Sequence, residues 1–304
     1  MIVKYYGVED NVCEWNYLQG IIKHLTDKVD TLTLHIVSVT PEWDRRDEVV
    51  LNKTTRNVIL AMHDEYMTDC ILDEWKNRDD VLVFKSYLLP EQAESNVFPL
   101  PLGYNKKHKK LKNRPIIDRP VDVFFSGHMS SQNRVNYMTP IIKFFDQIDQ
   151  SKRPKLDINI TKGFNMGFNP SEYSERLHSS KIVICPAGNV SMETFRHYEG
   201  LRSGTVVVSP RLPQNEIYKD NYIVQVDNWD KDVGNVIVDL LSDLDMLQLV
   251  KDRQDTDYST RYSIKAVAAA YSAGDDDAAQ EMVEVVKEIS IPVLIFMECT
   301  LVAA

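Results

Sequence analysis

An apolar run ending at Cys185 meets Pro186, Ala187 and Gly188, and the polar residues Asn189 and Ser191 follow at once. Small residues directly after a buried strand let a ligand approach the backbone closely. Ser191 reads as the N-cap of a helix over positions 192 to 203. Amides at such a helix start face an anion, so a diphosphate fits there. Arg196 and Glu199 are three positions apart and share one face of that helix. The guanidinium fork of Arg196 suits phosphate, and Glu199 suits the hydroxyls of a ribose. An intrahelical ion pair worth only about 0.2 to 0.5 kcal/mol competes with that reading, and spacing alone does not separate the two. Gly204 closes the helix as a C′ glycine.

The surrounding pattern supplies the elements that must hold these residues. In the first half, strands are predicted at 1–6, 31–39, 57–62, 81–84 and 97–102, with a helix at 12–26. Asn57 to Met62 is nearly continuous apolar sequence, as in a strand buried on both faces. His63, Asp64 and Glu65 follow it directly. The second half repeats the alternation, with strands at 121–126, 156–161, 181–185, 205–209 and 222–226 and helices at 133–149, 170–179 and 192–203. Helical sequence continues over 230–251 and 264–289, the latter interrupted by an acidic turn. Such alternation implies parallel βαβ units. The expected fold class is therefore α/β, with two Rossmann-like domains facing across a cleft. Residues 1–114 form the first domain, 115–263 the second, and 264–304 a helical tail that packs back on the first. Between the domains, Lys106, Lys107, Lys109, Lys110, Lys112 and Arg114 lie in a Pro-bounded linker. It reads as a solvated basic loop or as a contact for phosphate or an acidic acceptor.

Ligands of open α/β sheets bind outside the carboxyl ends of the strands. This draws attention to Gly127 and His128 after one strand and to Lys162 and Asn165 after another. Tyr104, Tyr173 and Tyr222 are read as stacking partners for a base or sugar, or as ordinary core aromatics.

Composition excludes several classes. The 304 residues are 43% hydrophobic and 26% charged, in the globular range. A net charge of -10 argues against a dedicated nucleic-acid binder, without excluding a local basic groove. Cys13, Cys70, Cys185 and Cys299 are far apart and signal neither a zinc site nor a disulfide framework, which points to a reducing, cytoplasmic setting. No leader-like or membrane-spanning segment is read. The apolar stretch 291–304 reads as a packed C-terminal element or a homodimer contact.

The order strand, Cys-Pro-x-Gly, Arg-x-x-Glu-x-x-x-x-Gly and second apolar strand resembles the exostosin-type family 47 glycosyltransferases. A weaker match is Val121 to Arg134, a strand-glycine-arginine element, and a third is Phe98 to Tyr104. Together they span roughly positions 80 to 230. The chain differs from the animal members in lacking a membrane anchor, and looks more like a compact bacterial or viral relative.

That resemblance implies a GT-B fold and inverting transfer of a sugar from a nucleotide-diphosphate donor, UDP-linked by preference, to a glycan hydroxyl. It places Arg196 and Glu199 in the donor site, with Gly127 allowing close approach and Arg134 holding phosphate. No metal is required on this reading, because amides and arginines neutralise the leaving diphosphate. Asp275 to Asp277 reads as solvated charge. The general base should come from the N-terminal half. Asp64 is the first choice, with His63 and Glu65 as competitors. Glu9 and Asp10 form a second acidic pair, and Asp73 and Glu74 lie on a helix surface. Competing functions are a nucleotide-sugar epimerase, a non-catalytic sugar or nucleotide binder, and an enzyme that modifies nucleic acid.

Overall fold

The computed structural model describes residues 1–7, 12–26, 32–41, 44–67, 73–163, 166–215 and 217–267. Glu9, Asp10, Asn165, Asp275 to Asp277 and the tail 291–304 lie outside the described residues. The architecture is the α/β arrangement expected, two parallel sheets of five strands each.

The N-terminal sheet comprises β1 (Ile2–Tyr6), β2 (Leu32–Val39), β3 (Arg56–His63), β4 (Val81–Lys85) and β5 (Val97–Pro99). Its strands lie side by side in sequence order, without the reversal of a doubly wound sheet. β2 is buried along its whole length and β3 beyond its first residue, which explains their near-continuous apolar character. Helix α1 (Trp15–Thr26) buries Tyr17, Leu18, Ile21, Ile22 and Leu25 against β2 and β3 residues such as Leu34, Ile36 and Leu60. That spacing is the apolar stripe of a surface helix. β5 stops at Pro99, short of the expected Leu102, although Leu100 N–H still donates to the Lys85 carbonyl at 2.8 Å.

The C-terminal sheet comprises β6 (Val121–His128), β7 (Leu156–Thr161), β8 (Ser180–Ile184), β9 (Val206–Pro210) and β10 (Val224–Val226). The spatial order is β10-β9-β8-β6-β7, so the chain reverses direction across β6. This reversal creates a topological switch point at the carboxyl ends of β6 and β8. Helices α2 (Gln132–Gln147), α3 (Pro170–His178) and α4 (Phe195–Arg202) connect the strands. The helical stretch expected over 230–251 is two helices, α5 (Trp229–Ser242) and α6 (Leu244–Asp257). Asp243 separates them, its carboxylate accepting from the amides of Asp245 and Met246 as an N-cap.

Buried polar contacts fix the end of the linker to the second half. Arg119 at the end of the basic linker is 2% exposed and donates to the carbonyls of Arg114, Ser180 and Ser203 and to Thr205 Oγ1. Burial pushes its guanidinium down to about 10. After α6 the chain returns to the first sheet. Tyr17 donates its hydroxyl to the Tyr262 carbonyl at 2.9 Å, and Val267 enters the core beneath α1.

Candidate active site at the switch point

A cavity of about 390 Å³ opens at the carboxyl ends of β6 and β7. Ser126, Gly127 and His128 from β6 and Thr161 from β7 form one wall, and Arg196 and Glu199 from α4 form another. The strand end passes close to Arg196 at Gly127. A Cβ there would stand 2.7 Å from Arg196 Nη2, the atom that donates to the Ser126 carbonyl at 2.8 Å. The guanidinium carbon lies 4.7 Å from the Phe125 ring centroid. Arg196 Nε is buried without an acceptor, a cost that a ligand oxygen would remove.

Arg134 lines the same cavity from the first turn of α2, whose N-cap is Ser131. It donates to the carbonyls of His128 at 2.8 Å and Ala187 at 3.3 Å. Burial, and next the charge of Arg196, hold its guanidinium below the ordinary arginine value. Two cations close enough to disfavour one another are stabilised by an anion between them.

Glu199 is 6% exposed and lies against the cavity. Its Oε2 accepts from the Tyr173 hydroxyl at 2.7 Å and its Oε1 from the Asn105 amide at 3.3 Å. Burial holds the carboxyl above its ordinary value, against those two donors and the charge of Arg196. The alternative of an Arg196–Glu199 ion pair is not what the helix builds, since each side chain turns to a separate partner. Each carboxylate oxygen keeps acceptor capacity for a diol. Phe168 and Tyr173 bring two aromatic rings to the same cavity, and Asn105 and Lys107 reach it from the linker.

The loop between β8 and α4 differs from expectation. Helix α4 begins at Phe195 and its N-cap is Thr194, where the sequence suggested Ser191. Ser191 instead closes a turn, its carbonyl accepting from Gly188 N–H at 2.7 Å and its hydroxyl from Glu193 N–H at 3.1 Å. The anion-binding amides are therefore those of the loop itself. The N–H groups of Asn189, Val190 and Ser191 converge on Glu65 Oε2 at 2.9, 3.1 and 3.4 Å. Asn189 Nδ2 reaches Glu65 Oε1 at 2.7 Å. Gly127, His128, Arg134, Arg196 and Glu199 thus line one cavity. Gly188, Asn189 and Ser191 form the adjoining loop, which starts at Pro186. Lys162 points away into solvent between the cavity residues Thr161 and Gly163.

The three acid–base candidates at the end of β3 separate. His63 is 6% exposed; its Nδ1 lies 3.1 Å from the Ala61 carbonyl, and its Nε2 is buried without a partner. Burial, then the Lys85 charge, push it down to about 3, so the ring is neutral and enclosed. Glu65 is committed to the loop amides. Asp64 remains partly exposed, one carboxylate oxygen accepting from Tyr66 N–H at 3.0 Å. Beside it is Glu14, 8% exposed, raised to about 7 first by burial and further by the Asp64 charge. Nothing in the sequence marks Glu14, which reads as the polar flank of an amphipathic helix. Asp73 and Glu74 pair on the surface with Lys76 and Arg46.

Among the described residues, no group of three or more His, Cys, Asp or Glu side chains is arranged to hold a metal ion. Nor is any helix among them long and apolar enough to cross a membrane. Cys13 and Cys185 are free thiols, the latter buried and pushed up to about 12 by desolvation.

No family model matches the chain, and no curated protein matches it. Solved structures do. The chain is similar to WaaG, a glycosyltransferase involved in lipopolysaccharide biosynthesis, at 9% identity and a TM-score of 0.48, covering 90% of this chain and 100% of that one. It is similar to a glycosyltransferase from Rickettsia africae ESF-5 at 12% identity and a TM-score of 0.47, covering 94% and 84%. It is also similar to a DNA-modifying β-glucosyltransferase at 12% identity and a TM-score of 0.45, covering 93% and 99%.

Proposed function

We propose that this protein is an inverting glycosyltransferase of the GT-B type that takes its sugar from a nucleotide diphosphate, UDP by preference, and needs no metal. One observation carries the reading. A single cavity at the switch point joins a buried carboxylate with free acceptor capacity, Glu199, to two mutually repelling guanidiniums, Arg134 and Arg196, and opens beside a loop of converging amides.

A nucleoside diphosphate satisfies each of these groups. The ribose hydroxyls donate to Glu199, and the base lies along Phe168 and Tyr173. The diphosphate takes the hydrogen bonds of Arg134, Arg196 and the 189–191 amides. These donors neutralise the charge that grows on the diphosphate as its bond to the anomeric carbon breaks. The acceptor, a glycan hydroxyl, enters from the N-terminal side. Its oxygen attacks the anomeric carbon, and its proton passes to the Asp64 carboxylate. Glu14 beside it, raised to about 7 by burial, is a second carboxylate in the range suited to general-base work at neutral pH.

The test is a hydrolysis screen of UDP- and GDP-linked sugars with wild type and Asp64→Asn. Slow release of UDP from one sugar nucleotide by the wild type supports the reading. With an acceptor present, Asp64→Asn should lose about 10²- to 10⁴-fold in turnover. Silence with every donor, or full turnover by the variant, would count against it.

A further inference from the structure

The amide cradle beside the cavity already holds an anion, supplied by the chain itself. Glu65 accepts four hydrogen bonds from one short loop: three backbone amides on Oε2 and the Asn189 side chain on Oε1. Successive N–H groups turned on a single oxygen form a concave nest, the geometry that phosphate oxygens also fit. Gly188 admits the carboxylate, because a Cβ there would stand 2.5 Å from Glu65 Oε2. The nest is braced from behind, with Asn133 Nδ2 donating to the Gly188 carbonyl at 3.4 Å and Ser130 Oγ to Asn189 Oδ1 at 3.0 Å. Its occupant comes from the other sheet. Glu65 opens the short turn after β3, 124 residues from Asn189 in sequence, so these bonds span the cleft between the halves. The Glu65 charge also acts on Arg134 in the cavity wall.

We propose that Glu65 is an interdomain latch. Its carboxylate sits in the seat of a ligand phosphate and holds the two halves together, so latch and phosphate exclude one another. The identity of the natural anion rests on the nucleotide-diphosphate reading above; the nest by itself selects a phosphate-class anion. Binding in the nest displaces Glu65 and frees the β3 end, with Asp64 next to it. The latched population lowers the apparent affinity for the anion by the fraction of molecules that are open. The nest thereby links donor occupancy to the position of the acid–base residues.

The experiment is calorimetric titration of inorganic pyrophosphate, and separately of UDP, into wild type, Glu65→Ala and Glu65→Gln. Hydrogen exchange is followed at the amides of Asn189 to Ser191. The latch predicts tighter binding of both ligands to Glu65→Ala, by about ten-fold or more. It also predicts amides that exchange faster in the variant and are protected again by pyrophosphate. Equal pyrophosphate affinity in wild type and variants, or exchange unchanged by the substitution, overturns it. If UDP binds all three proteins equally, the nucleotide reading stands and the latch falls. If pyrophosphate tightens but UDP binds none of them, the latch stands and the nucleotide reading falls. Glu65→Gln keeps the side-chain volume and carries the same test should Glu65→Ala fail to fold.

Discussion

Glu14 shows how one residue's surroundings change its chemistry. In an unfolded chain its carboxyl ionises near 4.5; in the fold, burial and then Asp64 raise it to about 7. The folded state therefore holds a proton that the unfolded state has released. The stability this contributes is complete below pH 4.5 and is lost as pH rises through 7. A displacement of this size corresponds to on the order of 3 kcal/mol. Glu14→Gln removes the titration, so unfolding curves should show it more stable than wild type at pH 8 and equal to it at pH 4.5. An equal difference at both values would show that Glu14 does not titrate in this way. At the same scale, type and spacing marked Arg196 and Glu199 as candidates without separating a ligand site from an ion pair, and their separate partners were not legible. Asn105 and Tyr173, which satisfy Glu199, come from the linker and from α3, and local sequence says nothing about which distant side chains meet.

The β6 strand end positions Arg196 through an absence of bulk at Gly127. In Gly127→Ala the new Cβ meets Arg196 Nη2, and the guanidinium must leave the Ser126 carbonyl and the Phe125 face. The expected result is retained folding by circular dichroism with UDP affinity reduced by about ten-fold or more, the loss of one charge-assisted hydrogen bond. Unaltered affinity would remove Arg196 from the phosphate site. Elements with a strong period were readable in advance: α1, β2, β3 and all five strands of the second sheet fall within a few residues of expectation. The misses have local causes. The β8–α4 loop consumes Ser191 in a turn and delays the helix to Phe195, and Asp243 caps α6 in the middle of continuous helical sequence. In both cases a side chain that hydrogen-bonds the backbone competes with helix continuation.

At the scale of the molecule, the chain divides its labour between two sheets. The second carries the cavity at a switch point that its strand order creates. The first has sequential strands, and Glu65 after β3 reaches the 189–191 loop beside that cavity. Contacts between the halves, such as Tyr17 with the Tyr262 carbonyl or Glu65 with the 189–191 amides, leave no periodic trace in the sequence. For that reason the way the first half meets the cavity was less legible than the cavity residues themselves. Against the net charge of -10, the exposed cluster Lys107, Lys109, Lys110, Lys112 and Arg114 is a local basic exception, and Lys107 reaches the cavity. The central claim is that the cavity and its adjoining loop hold a nucleoside diphosphate. Calorimetric titration of UDP into wild type and Arg196→Ala tests it most directly. The account predicts saturable binding of UDP to the wild type and its loss in Arg196→Ala. Absence of binding by any nucleoside diphosphate to the wild type, or equal UDP binding by the variant, would contradict it.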